Sequence, residues 1–130
     1  MRIRTTIAGI LCSIAAMSAA SAASPSHAAS EQAVIVHFKY DSKNLQRLFE
    51  LEDQLEKAIS KAGIGEYDGN EVAVDGSDGY LYMYGPSADR LVEVITPILE
   101  STSFTRGATV KKRYGPSGAG VREVQLVIEP

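Results

Sequence analysis

The sequence is poor in the residues that most enzyme and metal chemistry needs. It has one cysteine, Cys12, and two histidines, His27 and His37. Cys12 lies in a segment expected to be removed, so the mature chain can form no disulfide and offers no thiolate. A zinc site is disfavoured because neither cysteine nor a second well-placed histidine accompanies His37. A long apolar run is also missing. Ile7 to Met17 carries no charge but is too short for a bilayer core of about 30 Å, which takes about 20 residues. Basic charge is scarce as well. Of 13 basic residues, the loss of Arg2 and Arg4 leaves 11 against 16 acidic ones, a formal charge of −5. That balance argues against nucleic acid or an anionic membrane as the partner.

The first thirty residues have their own pattern. Arg2 and Arg4 precede the apolar run, and Ser18 to Ala23 is made of small residues. Positive, apolar, then small is the order of a secretory signal peptide. Cleavage is expected after Ala22 or Ala23, which both satisfy the small-x-small rule, with Ser26-His27-Ala28 as a later option. Residues 1–23 are therefore read as signal, 24–32 as a flexible lead-in, and 33–130 as one domain. The protein is expected to be secreted or periplasmic, with no membrane span once the signal is gone.

Within the domain, Ala33 to Tyr40 alternates as a strand does, with Val34, Val36, Phe38 and Tyr40 on one side and Ile35, His37 and Lys39 on the other. Asp41, Ser42 and Asn44 are competent helix caps. Leu45, Leu48, Leu51, Leu55, Ala58, Ile59 and Ala62 then form a helical stripe ending at Gly63. Glu71 to Asp75 reads as a short strand with Val72 and Val74 inward. Asp75 to Gly79 reads as a turn, and Tyr80 to Tyr84 as the return strand. Ser87 is expected to cap a second helix carrying Leu91, Val94, Ile95, Ile98 and Leu99. Pro97 is expected to kink it or end it early. Thr109 to Tyr114 and Glu123 to Ile128 complete a βαββαββ order. That order predicts an α+β fold, a ferredoxin-like split βαβ sandwich with both helices on one face of an antiparallel sheet. The last strand would extend the pattern or pair at an edge.

The stretches Glu66-Tyr67-Asp68-Gly69-Asn70-Glu71, Asp75-Gly76-Ser77-Asp78-Gly79 and Leu81-Tyr82-Met83-Tyr84-Gly85-Pro86 together resemble a family of small bacterial proteins of uncharacterised function. Phe49-Glu50-Leu51-Glu52-Asp53 and Arg113-Tyr114-Gly115-Pro116 belong to the same resemblance. It implies a single domain and brings no activity with it.

Several chemistries can be weighed on the residues present. His37 has no nucleophile-elbow or other triad motif around it, which favours a strand position over a catalytic base. Asp68, Asn70, Glu71, Asp75 and Asp78 offer oxygen ligands, but the alternate spacing of a calcium loop is absent and tight turns explain the Asp-Gly pairs. Gly115-Pro116-Ser117-Gly118-Ala119-Gly120 precedes a strand, whereas a phosphate cradle precedes a helix. No cofactor is implied. Strand parity places Leu81 and Met83 on one face and Tyr80, Tyr82 and Tyr84 on the other. His37 and Lys39 share the tyrosine face, and Lys111 and Arg113 join it. Tyrosine suits interfaces, having a broad ring and a polar tip, although cross-strand pairs alone also explain a tyrosine ladder. The expectation is a non-catalytic binding module of the cell envelope, holding a protein partner or a homodimer on the open sheet face. Two alternatives remain: an inhibitor or immunity-like protein acting through the acidic helix around Glu50 to Glu56, and a small hydrolase using the acids between Asp68 and Asp78.

Overall fold

A computed structural model describes residues 31–130. The expected signal segment, Cys12 and His27 lie outside the described residues. The elements are β1 (Gln32–Lys39), α1 (Gln46–Ala62), β2 (Glu66–Val72), β3 (Asp78–Gly85), α2 (Ala88–Ser101), a 3-10 turn (Ser103–Thr105), β4 (Thr109–Arg113) and β5 (Glu123–Val127). The strands form one antiparallel sheet in the order β2-β3-β1-β4-β5. The described residues are thus α+β, with two helices and a five-stranded sheet. The last strand pairs at an edge, beside β4.

β1 is the central strand and its alternation sets the layers. Val34, Val36 and Phe38 are buried and meet Leu81 and Met83 of β3 and Val110 of β4. The same cluster contains Leu48, Leu51, Leu55 and Ile59 of α1 and Leu91, Ile95 and Leu99 of α2. Both helices therefore cover the same face of the sheet. Each fully buried aliphatic or aromatic side chain contributes about 1.5–3 kcal/mol relative to exposure.

The helix ends are held by identifiable groups. Asn44 Oδ1 accepts the Gln46 N–H at 3.0 Å, and Ser42 Oγ accepts the Asn44 N–H at 3.1 Å. Gly63 closes α1 in the left-handed conformation, at φ 64°. Ser87 Oγ accepts the Arg90 N–H at 3.2 Å, and Gln32 Oε1 accepts the Ala88 N–H at 2.8 Å. Gln32 is therefore part of β1 and of a helix cap rather than of a lead-in.

Two expectations about element limits need correction. The strand placed at Glu71 to Asp75 begins at Glu66 and ends at Val72. Its register shifts between Tyr67 and Gly69, a bulge that absorbs Asp68. Val74 is not inward. It is fully exposed in the hairpin turn, where Ala73 accepts the Gly76 N–H at 2.8 Å. Nor does Pro97 end its helix early, since α2 runs on to Ser101. Pro97 and Glu93 are both exposed, so water can satisfy the Glu93 carbonyl that Pro97 cannot serve, while Leu91, Ile95 and Leu99 hold the buried side.

The β2–β3 turn is tied to the β1–α1 connection. Tyr40 and Asp41 N–H groups both reach Ser77 O, at 2.9 and 3.3 Å, and Ser42 N–H reaches Gly76 O at 3.0 Å. At the base of the hairpin, Gly79 lies against the Phe38 ring. A Cβ there would sit 2.8 Å from Phe38 Cζ and 2.8 Å from Glu71 O. Gly79→Ala is expected to destabilise the fold by about 1–3 kcal/mol in thermal or urea denaturation.

Candidate interaction face

The pairing registers define the side of the sheet opposite the helices. One row runs Glu66, Tyr84, Ala33, Arg113, Glu123 across the five strands. The next runs Gly69, Tyr82, Ile35, Lys111, Gln125, and the third runs Glu71, Tyr80, His37, Thr109, Val127. Among the described residues, neither helix covers these rows. Tyr82, Tyr84 and Ile35 are partly buried by their neighbours, and Tyr80 is 38% exposed.

Six of the seven residues singled out from sequence are brought together here: His37, Tyr80, Tyr82, Tyr84, Lys111 and Arg113. Lys39 points to the same side but lies beyond the rows, opposite Asp78 at the end of β1. The sequence reading missed Glu66, Glu71, Glu123 and Val127 as members of the face. For Glu66 the signal was hidden by the bulge, which hides the strand's start.

The face is ordered by ring stacking and polar contacts. The His37 and Tyr80 rings stack with centroids 4.5 Å apart, and Tyr80 and Tyr82 follow at 6.3 Å. His37 Nε2 lies 2.7 Å from Asp78 Oδ2. Among the described residues, no serine or threonine hydroxyl bonds the His37 ring. Tyr82 donates its hydroxyl to Glu71 Oε2 at 2.9 Å. Arg113 Nε donates to Gly115 O at 2.9 Å, and Lys111 Nζ lies 3.5 Å from Glu123. Loss of hydration among its neighbours, then the Glu71 hydrogen bond and charge, push the Tyr82 hydroxyl up to about 12.

The acids proposed as a hydrolytic group are dispersed. Asp75 accepts the Ser77 N–H at 3.0 Å, and Ser77, through its side chain first, holds the Asp75 carboxyl below its ordinary range. Asp78 is taken up by His37 and Glu71 by Tyr82. Asp68 stands exposed at the bulge. Among the described residues no three His, Cys, Asp or Glu side chains converge as a metal site would need.

On the acidic helix, Glu52 turns inward and accepts from both Tyr67 and Asn70, while Glu50, Asp53 and Glu56 stay exposed. Burial, then the Glu52 contact, raises the Tyr67 hydroxyl well above its ordinary value. The basic run Lys111-Lys112-Arg113 is split by parity. Lys112 faces the helices, where its Nζ meets Asp89 Oδ1 at 2.8 Å alongside the Tyr114 hydroxyl at 2.6 Å. That Lys112 hydrogen bond, then Tyr114, depresses the Asp89 carboxyl, and Lys112 is raised in return. The glycine-rich loop from Gly115 to Gly120 leads into β5, with no helix N-terminus behind it.

No family profile, curated protein or solved structure matches this chain.

These shifts fix the direction of the pH dependence. Tyr67 and Tyr82 are raised, so their contribution is complete below the ordinary tyrosine value near ~10 and is lost as pH rises through the folded values. Tyrosinate absorbance is expected to show late-ionising groups, and Glu71→Gln to bring the Tyr82 midpoint down. Asp89 is depressed, so its contribution is present above the ordinary aspartate value near ~3.9 and is lost as pH falls through the folded one. In a carboxyl NMR titration, Lys112→Met is expected to return the Asp89 midpoint towards that of a free aspartate.

Proposed function

We propose that the protein is an exported, non-catalytic binding module of the cell envelope, and that it holds a protein surface against the open face of its sheet. The observation that carries this reading is the His37–Tyr80–Tyr82 stack with Tyr84 and Ile35 beside it, uncovered by either helix and rimmed by charge. Aromatic residues at the centre and charged residues at the rim are the composition of protein interfaces. The export part of the reading rests on Arg2, Arg4, the apolar run and the small residues up to Ala23. The absence of catalysis is supported by the partners of the acids, since Asp75, Asp78 and Glu71 each serve a turn or a ring contact.

The order β2-β3-β1-β4, with the helices following β1 and β3, is consistent with a ferredoxin-like split βαβ unit to which β5 is added beyond β4. Among the described residues no helix is long and apolar enough to cross a membrane.

The test compares tagged mature protein with Tyr82→Ala/Tyr84→Ala and Glu50→Gln/Glu56→Gln variants in pull-downs from the native envelope fraction. All three are checked for unchanged circular dichroism. Partner recovery is expected to fall at least about tenfold for the tyrosine variant and to persist for the glutamine variant. Equal recovery with the tyrosine variant overturns the reading, and selective loss with the glutamine variant transfers it to the acidic helix. For export, intact mass after expression in a secreting host is expected to match cleavage after Ala22 or Ala23. An uncleaved chain would contradict it.

A further inference from the structure

The charges on the open face are arranged in columns. On β2 stand Glu66 and Glu71, and three strands further on, past the tyrosines of β3 and Ile35 and His37 of β1, Lys111 and Arg113 stand on β4. Acid therefore lies on one side of the aromatic strip and base on the other. A surface polarised in this way complements itself only in certain orientations.

Two two-fold axes lying between facing sheets can be compared. An axis across the strands places every strand over its own counterpart, so the Lys111–Arg113 column meets its own copy and the Glu66–Glu71 column does the same. Like charges brought together cost several kcal/mol. An axis parallel to the strands, between β1 and β3, has the opposite result. It places β1 over the other copy's β3 and β4 over the other copy's β2. Ile35 and His37 then meet tyrosines, Arg113 meets Glu66, and Lys111 stands opposite Gly69, between Glu66 and Glu71. β5 overhangs, which leaves Glu123 outside the contact.

We propose that the open face docks a second copy of this chain, sheet against sheet, about the strand-parallel axis between β1 and β3. This rests on the binding-module reading and names its occupant. Four overlapping strands at about 4.8 Å spacing and about 23 Å long present roughly 900 Å² in projection for the pair, and more in accessible area. That is the low end of specific interfaces, so the dimer is reversible and concentration-dependent. The in-plane contacts it must reorganise, Lys111–Glu123 and Tyr82–Glu71, lie at exposed positions where such pairs are weak.

The test is sedimentation of the purified mature chain from about 1 µM to about 1 mM, a range that spans weak dimers. Three variants accompany it: Lys111→Glu/Arg113→Glu, Glu66→Lys/Glu71→Lys, and Tyr82→Ala. The wild type is expected to shift from monomer to dimer. Each charge variant alone is expected to dissociate at least about tenfold more readily, and an equimolar mixture of the two to recover dimer. Weakening of each variant alone requires opposite columns to meet, since an axis that stacks like columns would leave each variant no weaker than the wild type, and recovery in the mixture shows that both variants are folded. A wild type that stays monomeric throughout overturns the homodimer only. The binding-module reading is then judged by the tyrosine-dependent pull-down. A dimer indifferent to all three variants likewise overturns only the homodimer on this face, because its contact lies elsewhere. Dimers of each charge variant that persist while the mixture gains nothing overturn the proposed axis.

Discussion

The structure depends on what happens at β1. This strand has neighbours on both sides, β3 and β4, and one of its faces is apolar without interruption from Val34 through Phe38. Once that face is committed to the helices, every strand in register with it inherits the same division. Leu81, Met83 and Val110 must point to the helices, and the residues between them must point away. A slip of one residue in any ladder would put hydrophobic side chains in water and phenols or cations in the core. The open face is thus a by-product of core formation, and its order follows from the same registers.

The ends of β1 extend this control. At its C-terminal end the chain runs directly onto the β2–β3 turn, through the contacts of Tyr40, Asp41 and Ser42 with Gly76 and Ser77. These bonds fix the hairpin's position beside β1, and with it the location of Asp78. That residue heads β3 and supplies the carboxylate beside His37. The stacked rings therefore share a support with the entrance to α1. A disturbance at the turn, such as a side chain in place of Gly76, where a Cβ would lie 2.3 Å from Ser42 O, reaches both.

Much of this was legible because period-two and helical spacing are strong where side chains are apolar. β1, β3 and the stripes of both helices follow directly from Val34, Leu81, Leu48 and Leu91 and their repeats. The failures lie where local composition and tertiary context disagree. Asp68-Gly69-Asn70 has the chemistry of a turn, yet it forms a bulged edge strand because β3 supplies the partner and Tyr67 anchors it to Glu52. Val74 extends the alternation of Val72 by two residues but falls past the last ladder pair. Pro97 breaks a local rule at a point where the unserved carbonyl faces water. On the face itself, parity located the tyrosines, His37, Lys111 and Arg113. It could not show that Glu66 and Glu71 stand across from the bases, since that needs the strand order.

Gln32 links the beginning of the sheet to the far helix, because its side chain accepts the first backbone donor of α2. Removing it would strip one cap from α2, leaving the one from Ser87. Losing this one side chain at the head of the sheet would therefore be felt 56 positions along the chain, in the layer above it.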